Sequence, residues 1–363
     1  MAGLILVQTT IADYRVAFFK ALAVETHLDV KIYCGREYFS PSVRLSGSAR
    51  QLPFVVLINN VFFARRRLSF QMIPFGELWR ADNVVLEFNP RILSNWVVLV
   101  GRRLLSRPTV LWGHAWSRSG PSSWSENIRR LMRKLASRLI VYTDAQKIEY
   151  LERYHDEIKG DVHVAPNSLY SKEDMWRRHV PLEYIIYVGR LVPEKKPHVL
   201  IEAFCEFGRR NCDDTIKLCI VGEGPELSRC RASANGDPRV AFRGHVSDLK
   251  VLRDLYSKSY VAASPGYAGL SIVQALSFGC PIVVSRKEPH APEVHALKEG
   301  FNGDYFETDD IDALVDRLEE YCIRNVIASD RRESIIDDCR ASYSLEQMVG
   351  GFLAAVTQPD VCK

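Results

Sequence analysis

The sequence predicts an α/β protein of two doubly wound domains, each built around its own parallel sheet. The chain has 363 residues with 47% hydrophobic content, which exceeds one ordinary core and suffices for two. Short β-rich apolar runs alternate with amphipathic helical stretches, as in βαβ units. A polar segment without an apolar period, SKEDMWRRHVPLE at 171–183, interrupts this alternation. It predicts a linker between domains 1–170 and 171–340.

The apolar runs place the strands of the two domains. We expect two facing sheets, with a ligand cleft between the domains at the carboxyl ends of the strands. Helices are expected between the strands, for example at 196–210 and 248–257. The predicted strands are 4–8, 29–33, 83–87, 108–113 and 138–143 in the first domain, and 184–189, 215–222, 240–244, 259–264 and 281–285 in the second.

Cysteine usage and hydropathy indicate a cytoplasmic protein. The nine cysteines are scattered and lack the close pairing of metal sites or disulfide frameworks, so we expect reduced core residues. The first residues, MAGLILVQTTIADYR, have no basic leader before their apolar run and predict a first strand rather than a signal peptide. No apolar run approaches the roughly 18 residues of a membrane span.

Charge is distributed unevenly between the two halves. Residues 1–170 carry 23 Lys+Arg and 14 Asp+Glu, a net +9, whereas residues 171–363 carry 25 and 30, a net −5. Basic runs at 65–67, 102–107 and 128–134 could attract an anionic membrane surface, or could form an ordinary solvated surface. They lack interleaved aromatic residues, which argues against nucleic-acid binding.

The segment YVGRLVPEKKPHVLIEAF (187–204) predicts an anion-binding loop. It places Gly189 and Arg190 directly after a strand and Lys195 before an apolar helix. A guanidinium fork and a mobile ammonium could clamp a diphosphate at this strand end. The alternative is a pair of solvated surface cations.

Two glycine-rich turns follow in the same domain. In VGEGPE (221–226), Gly222 and Gly224 indicate a tight turn after a strand, since the third glycine of a dinucleotide fingerprint is missing. In SPGYAGLSIVQALSFGCP (264–281), we expect Gly266 and Gly269 to adopt positive φ angles and to allow close backbone approach. The helix beginning near Leu270 would then offer free N–H groups to a phosphate. The alternative is a purely structural βα turn.

These motifs occur in one order over some 120 residues and end in EGFNG (299–303). The C-terminal half resembles the donor-binding domain of family 4 retaining glycosyltransferases of the GT-B fold. LEFNPR (86–91), LWGHAW (111–116) and APNS (165–168) resemble a bacterial branch that acts in cell-surface polysaccharide assembly. The resemblance implies two Rossmann-like domains, the first binding the acceptor and the second the nucleotide-sugar donor. It also implies that residues 341–363 form a helix returning to the first domain.

The resemblance assigns expected roles to individual residues. Arg190 and Lys195 would bind the donor diphosphate, and His114 would face the donor sugar. The two glutamates of the family motif fall on Gly266 and Gln274, so both are missing; Gln274 could still bond ribose hydroxyls. His290 and Glu293 resemble a loop and helix start, where Glu293 would be a helix-terminal charge. Further expected donor-binding residues are Gly189, Gly222, Gly224, Gly269, Leu270 and Ser271, and the expected acceptor-side residues are Tyr14 and Arg15.

The resemblance implies transfer of a sugar from a nucleotide diphosphate to a glycan or lipid-linked acceptor, with retention of configuration. No metal or other cofactor is expected, because cations and helix amides would neutralise the leaving diphosphate. The missing glutamates leave open a non-catalytic GT-B protein that binds a nucleotide sugar. A third possibility is another GT-B enzyme, such as a sugar-nucleotide epimerase or a phosphorylase, although no lysine is identified for a pyridoxal cofactor.

Overall fold

The computed structural model describes residues 3–40, 43–116, 124–154, 161–212, 214–324 and 328–357. The chain divides into two compact units. Unit 1 comprises the chain up to Leu169 together with the segment from Leu345 onward, and unit 2 comprises Tyr170–Ser344. The chain therefore leaves unit 1, builds unit 2 and contributes its last helix to unit 1.

Unit 1 contains a parallel seven-stranded sheet in the order β3-β2-β1-β6-β7-β8-β9. An antiparallel hairpin, β4–β5, lies beside it. The strands are β1 Gly3–Gln8, β2 Asp29–Gly35, β3 Val55–Ile58, β4 Asn60–Phe63, β5 Leu68–Gln71, β6 Asn83–Glu87, β7 Thr109–Trp112, β8 Arg138–Val141 and β9 Val162–Val164. The helices are α1 Asp13–Glu25, α2 Phe75–Arg80, α3 Leu93–Leu104, α4 Trp124–Leu135, α5 Asp144–Tyr154 and α12 Leu345–Thr357.

The strands of unit 1 are apolar on both faces because helices cover both faces of the sheet. Alternate residues of β1 belong to different cores: Leu4 and Leu6 pack with α1 and α12, whereas Ile5 and Val7 pack in the core that includes residues of α2, α3 and α4. The helix α12 contacts α1, β8 and β9, and so completes the first of these cores.

Unit 2 contains a parallel six-stranded sheet in the order β12-β11-β10-β13-β14-β15. One continuous apolar core joins the sheet to its helices. The strands are β10 Tyr184–Val188, β11 Lys217–Val221, β12 Val240–Phe242, β13 Ser259–Ser264, β14 Ile282–Ser285 and β15 Gly303–Phe306. The helices are α6 Pro197–Asn211, α7 Leu227–Ala234, α8 Leu249–Ser257, α9 Leu270–Leu276, α10 Ile311–Cys322 and α11 Ser329–Tyr343.

The prediction of two doubly wound α/β domains is confirmed. All ten predicted strands are present, and β3, β4, β5, β9 and β15 were not among them. In each sheet the strand order reverses beside the first strand of the unit, between β1 and β6 in unit 1 and between β10 and β13 in unit 2. Such switch points open a crevice at the carboxyl ends of the strands, where α/β proteins bind ligands.

Several arginines of the predicted basic runs are internal rather than exposed. Arg102 is fully buried and donates to the carbonyl oxygens of Leu78 and Ala81 at 2.5 and 2.8 Å. Arg133 is fully buried and pairs with Glu126 at 2.5 Å. These side chains hold unit 1 together, so the net charge of this unit overstates what its surface offers to a partner.

Candidate functional site

The loops that follow β10 and β13 lie against each other at the switch point of unit 2. The Tyr267 amide donates to the Glu194 carbonyl oxygen at 2.8 Å. A Cβ atom added at Gly266 would lie 2.5 Å from the Glu194 carbonyl oxygen and 2.7 Å from the carbonyl carbon of Lys195. The backbone of the Lys195 loop therefore occupies the space that any side chain at position 266 would need.

The glycines of VGEGPE also allow one loop backbone to pack closely on another. Gly222 has a φ of +145° and Gly224 a φ of +154°. An added Cβ would lie 1.8 Å from the Gly189 carbonyl oxygen at the first position and 2.2 Å from the Leu191 carbonyl oxygen at the second. The tight turn predicted here brings the loop after β11 onto the loop after β10, and only glycine allows this approach.

The expectation of positive φ angles at Gly266 and Gly269 is wrong. Among the described residues, the glycines with positive φ are 222, 224, 236, 244, 279 and 300. Position 266 requires glycine for backbone packing, whereas Gly269 is the residue preceding α9, with a φ of −154°. An added Cβ at Gly269 would lie 3.3 Å from the Ala291 Cβ, so space there is limited but less restricted than at Gly266.

Lys195 is a partly buried cation of this loop. Its Nζ donates to the Tyr267 carbonyl oxygen at 3.2 Å. Burial, assisted by the nearby charge of Arg190, lowers the pKa of Lys195 to about 8. Arg190 is itself exposed, and its carbonyl oxygen accepts from the Tyr187 hydroxyl at 2.9 Å. Because two like charges share the loop, an anion bound between them would relieve their repulsion.

The start of α9 adds backbone donors next to this loop. The preceding residue, Gly269, makes no side-chain cap, and the first amides of any helix lack intrahelical acceptors. Ser271 contributes an Oγ that is buried and has no hydrogen-bond partner among the described residues. Since α9 has only seven residues, the positive charge of the site comes mainly from the two cations rather than from the helix.

Gln274 is fixed between two tyrosine hydroxyls that no sequence motif indicated. Its Nε2 donates to the Tyr170 hydroxyl at 2.8 Å, and its Oε1 accepts from the Tyr256 hydroxyl at 3.2 Å. An amide carries two donors and two acceptor positions, so one of each remains for a ligand. Burial raises the pKa of Tyr170 to about 12, which keeps this hydroxyl protonated at neutral pH.

His290 positions the loop before α9. Its Nδ1 accepts from the Ala268 amide at 3.1 Å, and its Nε2 lies 2.7 Å from the Ser285 carbonyl oxygen, so Nε2 carries the proton. Burial lowers the His290 pKa, which favours this neutral form. Glu293 lies in the first turn of a short 3₁₀ helix, Pro292–Ala296, and is 4% exposed. The Glu293 Oε2 lies 3.8 Å from the position that a Cβ atom at Gly269 would occupy, so a carboxylate does approach the glycine-rich turn before α9.

The switch point of unit 1 contains a partly buried carboxylate that the motifs did not reveal. Glu87, the last residue of β6, accepts from the Thr9 amide at 2.6 Å and from the Thr9 hydroxyl at 2.5 Å. Burial raises the pKa of Glu87, while these hydrogen bonds oppose the shift. The residue lies in the LEFNPR segment, but nothing in that pattern distinguished a structural from a ligand-binding carboxylate.

The other predicted residues of unit 1 lie at the same carboxyl edge. His114 is exposed after β7, and its ring centroid is 4.9 Å from that of Tyr142, which follows β8. Tyr14, which is 42% exposed, and Arg15 lie in the first turn of α1. The structure thus brings His114, Tyr14 and Arg15 to one edge of the unit 1 sheet, and the predicted donor-binding residues to one edge of the unit 2 sheet.

The described part of the chain contains no group of three or more His, Cys, Asp or Glu side chains arranged to hold a metal ion. Likewise, none of the described helices is long and apolar enough to cross a membrane.

Solved structures show that this fold is GT-B. The chain is similar over 98% of its length to the Anabaena protein HepE, solved in complex with UDP, with a TM-score of 0.67 and 16% identity over 99% of that chain. It also resembles a glycosyltransferase of Rickettsia africae, with a TM-score of 0.68 and 14% identity, covering 97% of each chain. The lipopolysaccharide outer core galactosyltransferase WaaB gives a TM-score of 0.66 at 13% identity, over 97% of this chain and 98% of that one.

Residues 183–322, which lie in unit 2, match the family described as Glycosyl transferases group 1. The D-inositol 3-phosphate glycosyltransferase of Rhodococcus jostii is 29% identical over 116 residues. That alignment covers 29% of this chain and 26% of the relative, so the similarity spans about a quarter of the relative's length. The segment shared with group 1 glycosyltransferases therefore contains Lys195, Gly266 and Gln274.

Proposed function

We propose that this protein is a glycosyltransferase that moves a hexosyl group from a nucleotide-diphosphate sugar to a glycan or lipid-linked acceptor. We further propose retention of configuration, membership of family 4 and a role in cell-surface polysaccharide synthesis. The observation that carries the proposal is Lys195, a partly buried cation beside Arg190 in a segment that matches group 1 glycosyltransferases. In this proposal unit 2 binds the donor and unit 1 binds the acceptor.

The proposed chemistry uses the two cations to stabilise the leaving diphosphate. As the bond to the sugar breaks, negative charge grows on the diphosphate, and preorganised cations stabilise that state more than the ground state. Ser271 Oγ and the first amides of α9 would add hydrogen bonds to the same group. The acceptor hydroxyl would attack from the face that the diphosphate leaves, and the departing phosphate would take its proton. His114 would face the donor sugar.

The donor is the first point to test. A panel of nucleotide sugars is compared by thermal unfolding, since a ligand at 100 times its Kd adds roughly 2.7 kcal/mol to the unfolding free energy. UDP-linked sugars are the first candidates, because HepE was also solved with UDP-glucose. The expected result is stabilisation by one nucleotide sugar, followed by measurable transfer to an added acceptor. Binding without transfer to any acceptor would favour the non-catalytic alternative.

We propose that catalysis needs no divalent metal or other cofactor, because Arg190 and Lys195 supply the positive charge. Activity measured in EDTA should match activity without it. Complete loss with chelator, restored by Mg²⁺ or Mn²⁺, would refute this part of the proposal.

Gln274 would contact the ribose of the donor through its remaining donor and acceptor positions. Gln274→Ala should weaken donor binding by about 10- to 100-fold, because it leaves polar groups unpaired at roughly 1–3 kcal/mol. Gln274→Glu should bind nearly as the parent does, since the Tyr170 hydroxyl can turn to donate to a carboxylate. Calorimetric titration of both variants measures this, and equal affinity of Gln274→Ala and the parent would place the ribose elsewhere.

We also propose that the protein is cytoplasmic and associates peripherally with the inner face of the membrane. A stripe on α3 supports this: Leu93, Val97, Val100 and Leu104 are 37%, 41%, 45% and 80% exposed. Their spacing places them on one helix face. Arg103 is exposed at the end of the same helix and could attract anionic lipid headgroups. An apolar stripe beside a cation fits a membrane surface better than the basic runs alone.

Co-sedimentation with vesicles containing phosphatidylglycerol tests the membrane proposal. The parent should bind at low salt and bind less at high salt, because the Debye length shortens. Val100→Glu should reduce binding strongly, whereas Val24→Glu, at an 85% exposed apolar position of α1, should not. Equal loss in both variants, or no binding by the parent, would contradict the α3 surface.

A further inference from the structure

Arg15 is an arginine of unit 1 that forms no salt bridge with a carboxylate among the described residues. It lies at the carboxyl edge of the sheet, in the first turn of α1. Its guanidinium carbon is 4.3 Å from the Trp112 ring centroid, 5.4 Å from that of Tyr14 and 5.6 Å from that of Tyr142. Three aromatic rings therefore fix the plane of the guanidinium, as in a cation–π cluster.

The hydrogen-bonding capacity of Arg15 is only partly used. Its Nη2 donates to the Tyr142 hydroxyl at 3.2 Å. Its Nη1 is buried and has no hydrogen-bond partner within the described ranges of the chain. Within the same ranges, Arg15 forms no ion pair within 4.0 Å. The carboxylate that influences it, Glu87, has both oxygens hydrogen-bonded to Thr9. A buried cationic donor without an acceptor is costly unless a ligand supplies one.

Further donors without acceptors come from the loop that leads into α1. The Thr10 Oγ1 is buried and has no partner among the residues that the structure describes. Ala12, which precedes the 13-residue helix α1, provides no side-chain cap for the first amides. The Arg15 guanidinium, the Thr10 hydroxyl and the first amides of α1 therefore all belong to one continuous segment of six residues, 10–15.

We propose that unit 1 binds a phosphate group at Arg15. A planar guanidinium offers paired donors that match two phosphate oxygens, and the amides at the start of a helix suit a third. A tetrahedral group with several oxygens uses donors from different directions better than a planar carboxylate does. The residues that would hold this phosphate belong to unit 1 alone, whereas the diphosphate is proposed at Lys195 of unit 2.

The phosphate has two chemical sources, a lipid-linked phosphate and a phosphorylated glycan. This part of the inference rests on the proposed function, since it assigns the phosphate to the acceptor. The phosphate site itself does not rest on the proposed function, because unit 1 can bind a phosphate without a sugar donor and without sugar transfer.

The test is a calorimetric titration of inorganic phosphate into protein saturated with UDP, so that the donor site is filled. The parent should bind phosphate, Arg15→Gln should weaken this binding at least about tenfold, and Arg15→Lys should be intermediate because it keeps the charge without the fork. Arg80→Gln, at an exposed arginine of the same unit, is the matched control and should bind as the parent does.

Two results would overturn the phosphate site: no phosphate binding by the parent, or equal binding by Arg15→Gln and the parent. The folding of Arg15→Gln is checked by circular dichroism and thermal unfolding, which should match those of the parent, because UDP affinity would report on unit 2 alone. If the parent does not bind UDP, the proposed function fails, and the same titration without UDP still decides the Arg15 site.

Displacement experiments distinguish the two sources. Dihexanoyl phosphatidic acid and glucose 1-phosphate are each added to the phosphate complex. Displacement by the lipid alone identifies a lipid-linked phosphate, and displacement by the sugar phosphate alone identifies a phosphorylated glycan. Displacement by neither overturns the assignment of this site to the acceptor.

Discussion

The two units share a doubly wound parallel sheet whose strand order reverses beside the first strand, but they differ in the residues at this switch point. In unit 2 the crevice between β10 and β13 is filled by backbone packed on backbone, with Lys195 and Arg190 as the charged groups. In unit 1 the crevice between β1 and β6 is closed by a side-chain contact, in which Glu87 accepts two hydrogen bonds from Thr9. One crevice therefore presents cations, and the other has a partly buried carboxylate whose two oxygens both accept hydrogen bonds from Thr9.

This difference shows that the fold provides the place and the local residues decide what binds there. Backbone packing in unit 2 requires glycine at positions 222, 224 and 266 and leaves the side chains of the loop available for a ligand. In unit 1 the carboxylate is used to hold the first loop, and the available cation, Arg15, comes from the helix that follows. The predictions below test whether the two crevices are as different as their contacts indicate.

The largest effect is expected at the cation of unit 2. Lys195→Met should lower kcat by about 10²–10³, the loss typical of removing one preorganised charge or donor. Lys287→Met, at a lysine in the loop after β14 with a 73% exposed side chain, is the control and should change kcat little. Steady-state kinetics of both variants measures this. A similar loss in both would mean that general positive charge matters, and not the position of Lys195.

Placing a glutamate at position 266, as in the family that the sequence resembles, should destabilise unit 2. Gly266→Glu places a Cβ 2.5 Å from the Glu194 carbonyl oxygen, so the Lys195 loop must move. We expect a loss of about 1–3 kcal/mol in unfolding free energy, as for overpacked sites, together with weaker donor binding. Gly76→Glu, where an added Cβ meets no atom within 4 Å, is the control for chemical denaturation. A Gly266→Glu variant as stable as the parent would show that the two loops are not packed as described.

Replacing the switch-point carboxylate of unit 1, Glu87, should lower the free energy of unfolding without changing nucleotide affinity. Glu87→Ala leaves the amide and hydroxyl of the fully buried Thr9 without acceptors, at a cost of about 1–3 kcal/mol in unfolding free energy. Glu87→Gln should cost less, because its amide group can donate to the Thr9 hydroxyl while its oxygen accepts from the amide. Nucleotide affinity should be unchanged in both variants. A drop in nucleotide affinity for Glu87→Gln would mean that the carboxylate serves the donor site rather than the loop.

The smallest effect concerns pH. Because the pKa of Lys195 is lowered to about 8, and because the proposed contact with the diphosphate needs the protonated form, donor affinity should fall as pH rises above 8. The expected slope is about tenfold per pH unit, the limit for one proton. Calorimetry between pH 7 and 9.5 measures it, and Lys195→Arg should show no such fall because arginine stays charged. A parent profile that is flat above pH 8 would remove Lys195 from the binding site.

The sequence predicted the buried strands well because their apolar runs are continuous and bounded by turns, as in the strand at 83–87. It missed the hairpin β4–β5, whose side chains are mostly half-buried or exposed. The turn of this hairpin contains Ala64, Arg65 and Arg66, all with positive φ. Hairpin turns with positive φ angles usually contain Asn or Gly, and this one does not, so the residue types gave no indication of the hairpin.

At the candidate site, local motifs identified the loops but not the contacts between them. The sequence placed Gly189 and Lys195 on one loop and Gly266 on another, and the structure shows that these loops touch. Tyr170 and Tyr256 could not be found from sequence, since they lie 104 and 18 residues from Gln274 and belong to no motif. The reason for glycine at 266 was also out of reach, because it depends on the backbone of Glu194.

The composite origin of unit 1 has a consequence for how the protein is made. The ring of Phe352 lies 5.4 Å from that of Phe18 and 5.2 Å from that of Trp112, so residues more than 200 positions apart share one core. Unit 2 is one continuous segment, whereas the first half of the chain cannot complete its core until α12, which follows unit 2 in the sequence, has been synthesised. The segment synthesised first therefore depends on a much later one, and its core stays incomplete while all of unit 2 is being made.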